Sequence, residues 1–435
     1  MHISHIYPME ALMQYVWQYR LWPNSDMRTV DGRKIEVLDP GILNRDAGPD
    51  FFNAKVQIGG ESWAGDIEIH VRASDWKRHG HDHDLAYDSV VLHVVERDDA
   101  EVRRSNGEVI PQMVMTCAPD FSQRYQEMVN NPVRELPCGN EIGALNPLYL
   151  TDTFTALAFE RLYEKAERVL DMVSRHHGNW TEAIYVTLAR ALGFNINSEP
   201  FQLLALTTPL KHLLRHSDSL LSIEAMLFGQ AGLLQGLENS PEHYLQRLCE
   251  EYRFMASKFK LTPSQNLMWK MARTRPQNSP HRRIATLAAF VAKSFPMASR
   301  ILAVESEEEA RKLFDMDLQG FWARHYNFSP TPSGAVKALS QSSITVLIIN
   351  VVVPVLYAYA QATGDDKRQE KAVELLQSLK PENNGIVQIY QRAGIPVNDA
   401  FTSQALIQLR KEYCLPRKCL FCRIGHRLLS AKVKR

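Results

Sequence analysis

The spacing of apolar and polar positions changes character once along this chain, near residue 135. Before that point short helical and strand patterns alternate. Leu12, Met13, Val16 and Trp17 recur at helical spacing over Met9–Arg20, and Pro23-Asn24 stops the run. Asp31-Gly32 is a turn dipeptide between Met27–Val30 and Ile35–Leu38, which reads as a hairpin. Phe52, Ala54, Val56 and Ile58 alternate with Asn53, Lys55 and Gln57, and Gly59-Gly60 turns this strand into the next, Trp63–Arg72. In that second strand Ile67, Ile69 and Val71 share one face, and Asp66, Glu68, His70 and Arg72 share the other. A polar, histidine-rich stretch, Ser74–Asp88, leaves room for a short helix around Asp82–Tyr87. Val90–Val95 is nearly continuous apolar sequence, as in a strand buried on both faces, and Val109–Met115 alternates less clearly.

Pro132, Pro137, Gly139 and Pro147 mark a linker, and from Thr151 onward the period is helical. The runs are Phe154–Val173, Thr181–Leu192, Phe201–Leu214, Leu220–Gln230, Pro241–Phe259, Arg282–Ser294, Ser306–Asp315, Ile344–Ala360, Asp365–Leu379, Gly385–Ala393 and Phe401–Tyr413. Ser306 and Glu309 form a capping-box pattern. No fixed repeat length emerges, so a regular solenoid is not supported. The expected class is α+β. A mixed α/β sheet unit at 1–135, in the order helix-β-β-β-helix-β, precedes an all-α region at 150–410 and a basic, cysteine-bearing segment at 411–435.

Composition narrows this only slightly. At 435 residues the chain exceeds what one core usually supports, so two or three domains are expected. Lys+Arg is 50 against Asp+Glu at 49, so no global field draws the chain to nucleic acid or to a membrane. The first residues lack the basic and apolar regions of a signal peptide. Ile344–Ala360, interrupted by Asn350 and Pro354, reads as a buried helix rather than a membrane span. Six cysteines are too few for a disulfide scaffold. A cytoplasmic protein with no membrane association is expected.

Candidate chemistry gathers between Asp50 and Asp88. Strand geometry puts Asp66, Glu68 and His70 on one face, each roughly 6–7 Å from the next. Asp50 immediately precedes the neighbouring strand, so pairing of the two strands would bring Asp50 and Glu68 together. Carboxylates with waters and a phosphate are the usual setting for Mg²⁺, which lowers the pKa of a bound water. The same stretch supports a second reading: His79 and His81, with His83 and His70, would ligate Zn²⁺ or Mn²⁺. The plain alternative is a solvated sheet face and a solvated loop, with His93 as an ordinary core histidine.

Pro49-Asp50, 17 intervening residues and Glu68-Ile69-His70, set in that element order, resemble the PD-(D/E)xK nuclease superfamily. The resemblance implies a Mg²⁺- or Mn²⁺-dependent nuclease acting on DNA or RNA, with Asp50 and Glu68 on the metal. His70 stands where the superfamily has lysine. Lys55 or Lys77 would then supply the missing charge from nearby, and Glu10 matches an extra acidic ligand on the first helix of some members. Over nearly its whole length the chain also resembles a bacterial family known only as domain of unknown function 2851. The segments that carry this likeness are Asn44–Phe51, Gly65–His70, Ser74–Trp76, Tyr87–Val95, Arg273–Arg283 and the C-terminal cysteines. That likeness implies no activity. A non-enzymatic nucleic-acid- or protein-binding scaffold on an eroded nuclease fold, or a zinc metallohydrolase at the histidine loop, are the rival expectations.

Two further motifs lie downstream. Cys414-x4-Cys419-x2-Cys422-x3-His426 has metal-knuckle spacing in a basic tail, as a structural Zn²⁺ site would. An iron–sulfur cluster with Cys138 as fourth ligand is the other option, and some nucleases of the superfamily staple their domain this way. Without metal these would be reduced cysteines on a terminal helix packed by Leu420, Phe421 and Ile424. Arg273, Arg275, Arg282 and Arg283 lie in a proline-bearing loop near Trp269, a composition suited to phosphate gripping and base stacking. Alternatively those arginines pair with Glu305–Glu309 or cap helices.

Overall fold

The amphipathic opening segment folds as helix α1 (Pro8–Gln18), whose Leu12, Met13, Val16 and Trp17 are buried. This computed structural model describes residues 8–22, 26–44, 46–130, 135–139, 141–263, 267–272, 275–295, 297–329 and 337–430. The chain forms two units. Met1–Leu145 joins with Lys411–Arg435 in the first, and Asn146–Arg410 makes the second. The cysteine-bearing segment, expected from the sequence to stand apart, is therefore part of the sheet unit.

The first unit is built on a six-stranded sheet. Its strands are β1 (Ile35–Asp39), β2 (Ile42–Leu43), β3 (Phe51–Ile58), β4 (Glu61–Arg72), β5 (Val90–Arg97) and β6 (Gln112–Val114), in the spatial order β1-β3-β4-β5-β6 with β2 also on β3. β1, β3 and β4 run antiparallel, whereas β5 lies parallel to β4 and β6 parallel to β5. The β3–β4 hairpin turns through Gly59 and Gly60, both at positive φ. β5 is buried along Val90–Val95, as its unbroken apolar sequence requires. Met27–Val30 makes only isolated bridges, although the turn expected at Asp31-Gly32 is present.

The parallel β4–β5 pair needs a crossover. It carries α2 (Asp75–Arg78) and two single 3-10 turns, His81–His83 and Leu85–Tyr87, in place of the one short helix expected there. Trp76 and Ala73 anchor this crossover in a core cluster with Val90, Val95, Val102 and Ile110. β5 starts close against Gly65, where a Cβ would stand 2.6 Å from the Ser89 carbonyl oxygen. Helix α3 (Pro119–Asn130) occupies sequence expected to be outside regular structure. Its buried Phe121, Tyr125 and Met128 follow helical spacing.

The second unit is helical. It opens with α4 (Pro147–Arg175), capped by Asn146, whose side chain accepts from the Leu148 N–H. The single run expected at Phe201–Leu214 is two helices, Ser198–Thr207 and Leu210–Leu214, separated at Pro209. The apolar run Ile344–Ala360 lies within Gln341–Thr363. A π-helical turn at Ile348–Val352 precedes Pro354, where the missing N–H breaks the regular ladder. Among the described residues, Gln341–Thr363 is the one helical run long and apolar enough to cross a membrane, and 78% of its most apolar window is buried within the protein.

Candidate metal centre

β3 and β4 bring Asp50 and Glu68 together at the end of their pairing. The Asp50 N–H donates to Glu68 Oε2 at 3.0 Å, and Asp50 Oδ2 accepts from the Ile69 N–H at 3.0 Å. A register shift between Phe51 and Ala54 opens the ladder here, with Asn53 at positive φ. From α1, Gln14 Nε2 donates to Asp50 Oδ1 at 2.8 Å. Glu10 stands one helical turn earlier on the same face, within electrostatic reach of Asp50 and Asp75.

The histidines complete the group. Glu68 Oε1 lies 3.4 Å from His70 Nε2 and 3.4 Å from His81 Nε2. His70 Nε2 lies 3.2 Å from His79 Nδ1. The ligand nitrogens of His70, His79 and His81 are all within 4.8 Å of one another. Donors bound about 2.1 Å from one ion stand about 3.0–3.4 Å apart, and three donor pairs here are already at that separation. His70 and His81 are buried, and His81 is held by stacking on Tyr87 at 3.7 Å. His79 is exposed to solvent.

A chain of hydrogen bonds fixes the imidazole of His70. Gln112 Nε2 donates to Asp98 Oδ1 and to the Ala100 carbonyl, so its Oε1 is left to accept from His93 Nδ1 at 3.0 Å. His93 Nε2 then carries a lone pair and accepts the Nδ1 proton of His70 at 2.9 Å. His70 Nε2 is thereby an acceptor, aimed at Glu68, His79 and His81. Such a carboxylate or carbonyl relay behind a ligating histidine is the usual support of a metal site.

Electrostatics point the same way. Burial pushes Glu68 up to about 8, opposed by the Asp50 N–H, and pushes Glu10 up to about 7 with help from Asp50 and Asp75. Asp50 is raised by burial and by Glu68. Burial lowers His70, and His93, His81, His79 and Arg78 lower it further. Burial takes His81 and His93 down to about 4. The site thus holds acids that resist ionising beside imidazoles that resist protonation. A cation stabilises both unprotonated forms at once. Beside it a cleft of about 520 Å³ is bordered by Arg72 at the end of β4, by Asp75 and Arg78 of the crossover and by Tyr125 and Gln126 of α3.

Other expected residues lie apart from this group. Asp66 ties strands together instead: it accepts from the Asn53 N–H at 3.1 Å and from Ser89 Oγ at 2.6 Å. Lys55 is exposed opposite Ala64, four residues or about 13 Å along the strand from Glu68, so it does not replace the lysine. Arg273 lies outside the described residues. Arg275 is exposed, but Arg282 and Arg283 are buried. Arg282 donates to the carbonyls of Trp322, His325 and Lys337, and Arg283 to Asn278 and the Ala338 carbonyl. Those two guanidiniums brace loops of the helical unit and are not placed to grip phosphate. The Trp269 indole N–H donates to the Ala231 carbonyl. In the C-terminal segment, Cys414, Cys419 and Cys422 line one cavity with Cys138, while His426 turns to Tyr15, Nδ1 to hydroxyl 2.6 Å.

Gln14, Gln112 and the link through His93 were not anticipated. Glu10 and Gln14, polar residues four apart on an otherwise apolar helix face, were the available signal for the first. Nothing local marks Gln112. A family model described as protein of unknown function (DUF2851) matches residues 10–385. No curated protein and no solved structure matches the chain.

Proposed function

The chain belongs to the DUF2851 family of proteins of unknown function, and we propose that it is a metal-dependent phosphodiesterase acting on nucleic acid. The observation that carries this reading is the grouping of His70, His79 and His81, with Glu68 Oε1 3.4 Å from both His70 Nε2 and His81 Nε2. Three imidazoles and one carboxylate suit Zn²⁺ or Mn²⁺ better than Mg²⁺, which prefers oxygen. When bound, such an ion would supply Lewis acidity at a phosphoryl oxygen and, at a coordination position the side chains leave open, a water acidic enough to attack phosphorus near neutral pH. Asp50, held by Gln14 and the Ile69 N–H, fixes Glu68 through its own N–H. Glu10, raised to about 7, takes up or returns a proton in the neutral range. Arg72 and Arg78 give the adjoining cleft the charge to hold a phosphodiester. None of the six cysteines is in a disulfide, which suits a reducing cytoplasm.

The test uses the full-length protein stripped of metal. Hydrolysis of an aryl phosphodiester and of single- and double-stranded DNA and RNA is followed with added Zn²⁺, Mn²⁺ or Mg²⁺. Activity is expected with Zn²⁺ or Mn²⁺ and is expected to be lost in Glu68→Gln and His81→Ala. Hydrolysis that survives both substitutions, or none with any ion, overturns the proposal.

A further inference from the structure

Four of the six cysteines meet in the first unit although they lie far apart in sequence. Cys138 follows α3, and Cys414, Cys419 and Cys422 come from the segment after residue 410. All four are buried, between 6% and 7% exposed, and together they wall one small cavity whose other sides include Met128 and Pro137. Among the described residues no histidine lines that wall, and His426 Nδ1 is bonded to the Tyr15 hydroxyl.

The loop that carries three of these thiols is shaped around sulfur. Burial raises the Cys422 thiol, and the backbone N–H groups of Gly425 and Ile424, which donate to its sulfur, oppose that rise. Arg417 places positive charge beside Cys419. Gly425 has to be glycine: a Cβ there would stand 2.0 Å from the Cys419 carbonyl oxygen, so the chain is folded tightly back on itself. In the protein without metal, by contrast, the environment is hostile to charge. Burial lifts Cys138 well above the ordinary thiol range, and Cys414, Cys422 and Cys419 each add to it.

Spacing decides between occupants. Cys-x4-Cys-x2-Cys is the spacing of three ligands in plant-type iron–sulfur proteins, whose distant fourth cysteine follows the three where Cys138 here precedes them. A zinc knuckle more often pairs two short Cys-x-x-Cys-type clips. We propose that Cys138, Cys414, Cys419 and Cys422 bind an iron–sulfur cluster, which fastens the C-terminal segment to the sheet unit. This assignment does not depend on the reading of the histidine site.

The experiment is metal and sulfide analysis of the full-length protein purified without oxygen, before and after reconstitution with ferrous iron and sulfide. Iron and acid-labile sulfide in equal amounts are expected, with visible charge-transfer absorption. Both are expected to vanish in Cys138→Ser and Cys422→Ser and to persist in Cys117→Ser and in His81→Ala. Zinc at one per chain without sulfide, retained in His81→Ala and lost in Cys138→Ser, overturns the cluster. So does iron retained in Cys138→Ser, or no iron after reconstitution. If the serine variants do not fold, the wild-type protein decides: chelation should bleach the absorption, and reconstitution should restore it. Failure to regain colour in a folded chain counts against the site.

Discussion

Replacing Glu68 by glutamine should make the metal-free protein more stable at neutral pH while removing its response to metal. Glu68 is 5% exposed, and its carboxyl titrates near 8 in the folded chain against 4.5 in the unfolded one. A raised acid contributes its full stability below pH 4.5 and loses it as pH climbs toward 8, because only the unfolded chain gains from ionisation in that window. At 1.36 kcal/mol per pH unit, the loss between 4.5 and pH 7 is roughly 3 kcal/mol. Glutamine removes this term. Its oxygen still accepts the Asp50 N–H, and its amide donates toward the His70 and His81 nitrogens that Glu68 faces. For a unit of this size that corresponds to a rise of roughly 6–12 °C in the unfolding temperature. Scanning calorimetry of both proteins in chelator at pH 5 and pH 7.5 measures it. The gain should be small at pH 5 and near its full value at pH 7.5. Adding Mn²⁺ or Zn²⁺ at one hundred times Kd should stabilise the wild type by about 2.7 kcal/mol and leave Glu68→Gln unmoved. Equal stability of the two metal-free proteins at pH 7.5, or a difference independent of pH, would refute the argument that this carboxyl awaits a cation.

Metal binding itself should strengthen with pH. The proton on Glu68 must leave, and His81 and His93 are already neutral above about 4, so apparent affinity should rise about tenfold per pH unit between 6 and 8, by titration calorimetry. Gln112→Ala removes the group that orients His93 and through it His70. It should weaken Mn²⁺ or Zn²⁺ binding about 10–100-fold at unchanged far-ultraviolet dichroism. An unaltered Kd would disconnect the relay from the site. Arg282→Ala leaves carbonyls of Trp322, His325 and Lys337 without that donor in a buried setting. Denaturant unfolding should show the helical unit weakened by about 3 kcal/mol or more, with phosphodiester hydrolysis unaffected in the protein that remains folded.

How much of this was legible beforehand follows from what kind of contact each feature needs. The strands Phe51–Ile58 and Glu61–Arg72 announce themselves because alternation is a property of one strand and its two faces. The meeting of Asp50 with Glu68 follows from a hairpin, a local device, and the motif that suggested it lies within one. α3 is obscured because the prolines beyond it dominate the neighbourhood, while only three of its twelve residues are buried. Gln112 and His93 could not be tied to His70 from sequence, since their adjacency arises from parallel strand order. The arginines misled for a physical reason: guanidinium forks serve backbone carbonyls as readily as phosphates, and composition does not say which. His426 misled similarly, its spacing matching a ligand while its ring is held by Tyr15.

The sheet unit is assembled from two stretches far apart in the polypeptide, with 265 residues of helical unit synthesised between them. A ribosome therefore releases Tyr15 long before its partner His426 exists. Until translation reaches the cysteine segment, the early part of the chain must wait, half-built and with apolar surface open, for its final piece. Such a topology combines the slowest class of contact with the longest delay, and it makes this unit a natural client of chaperones and a poor candidate for excision as an N-terminal fragment.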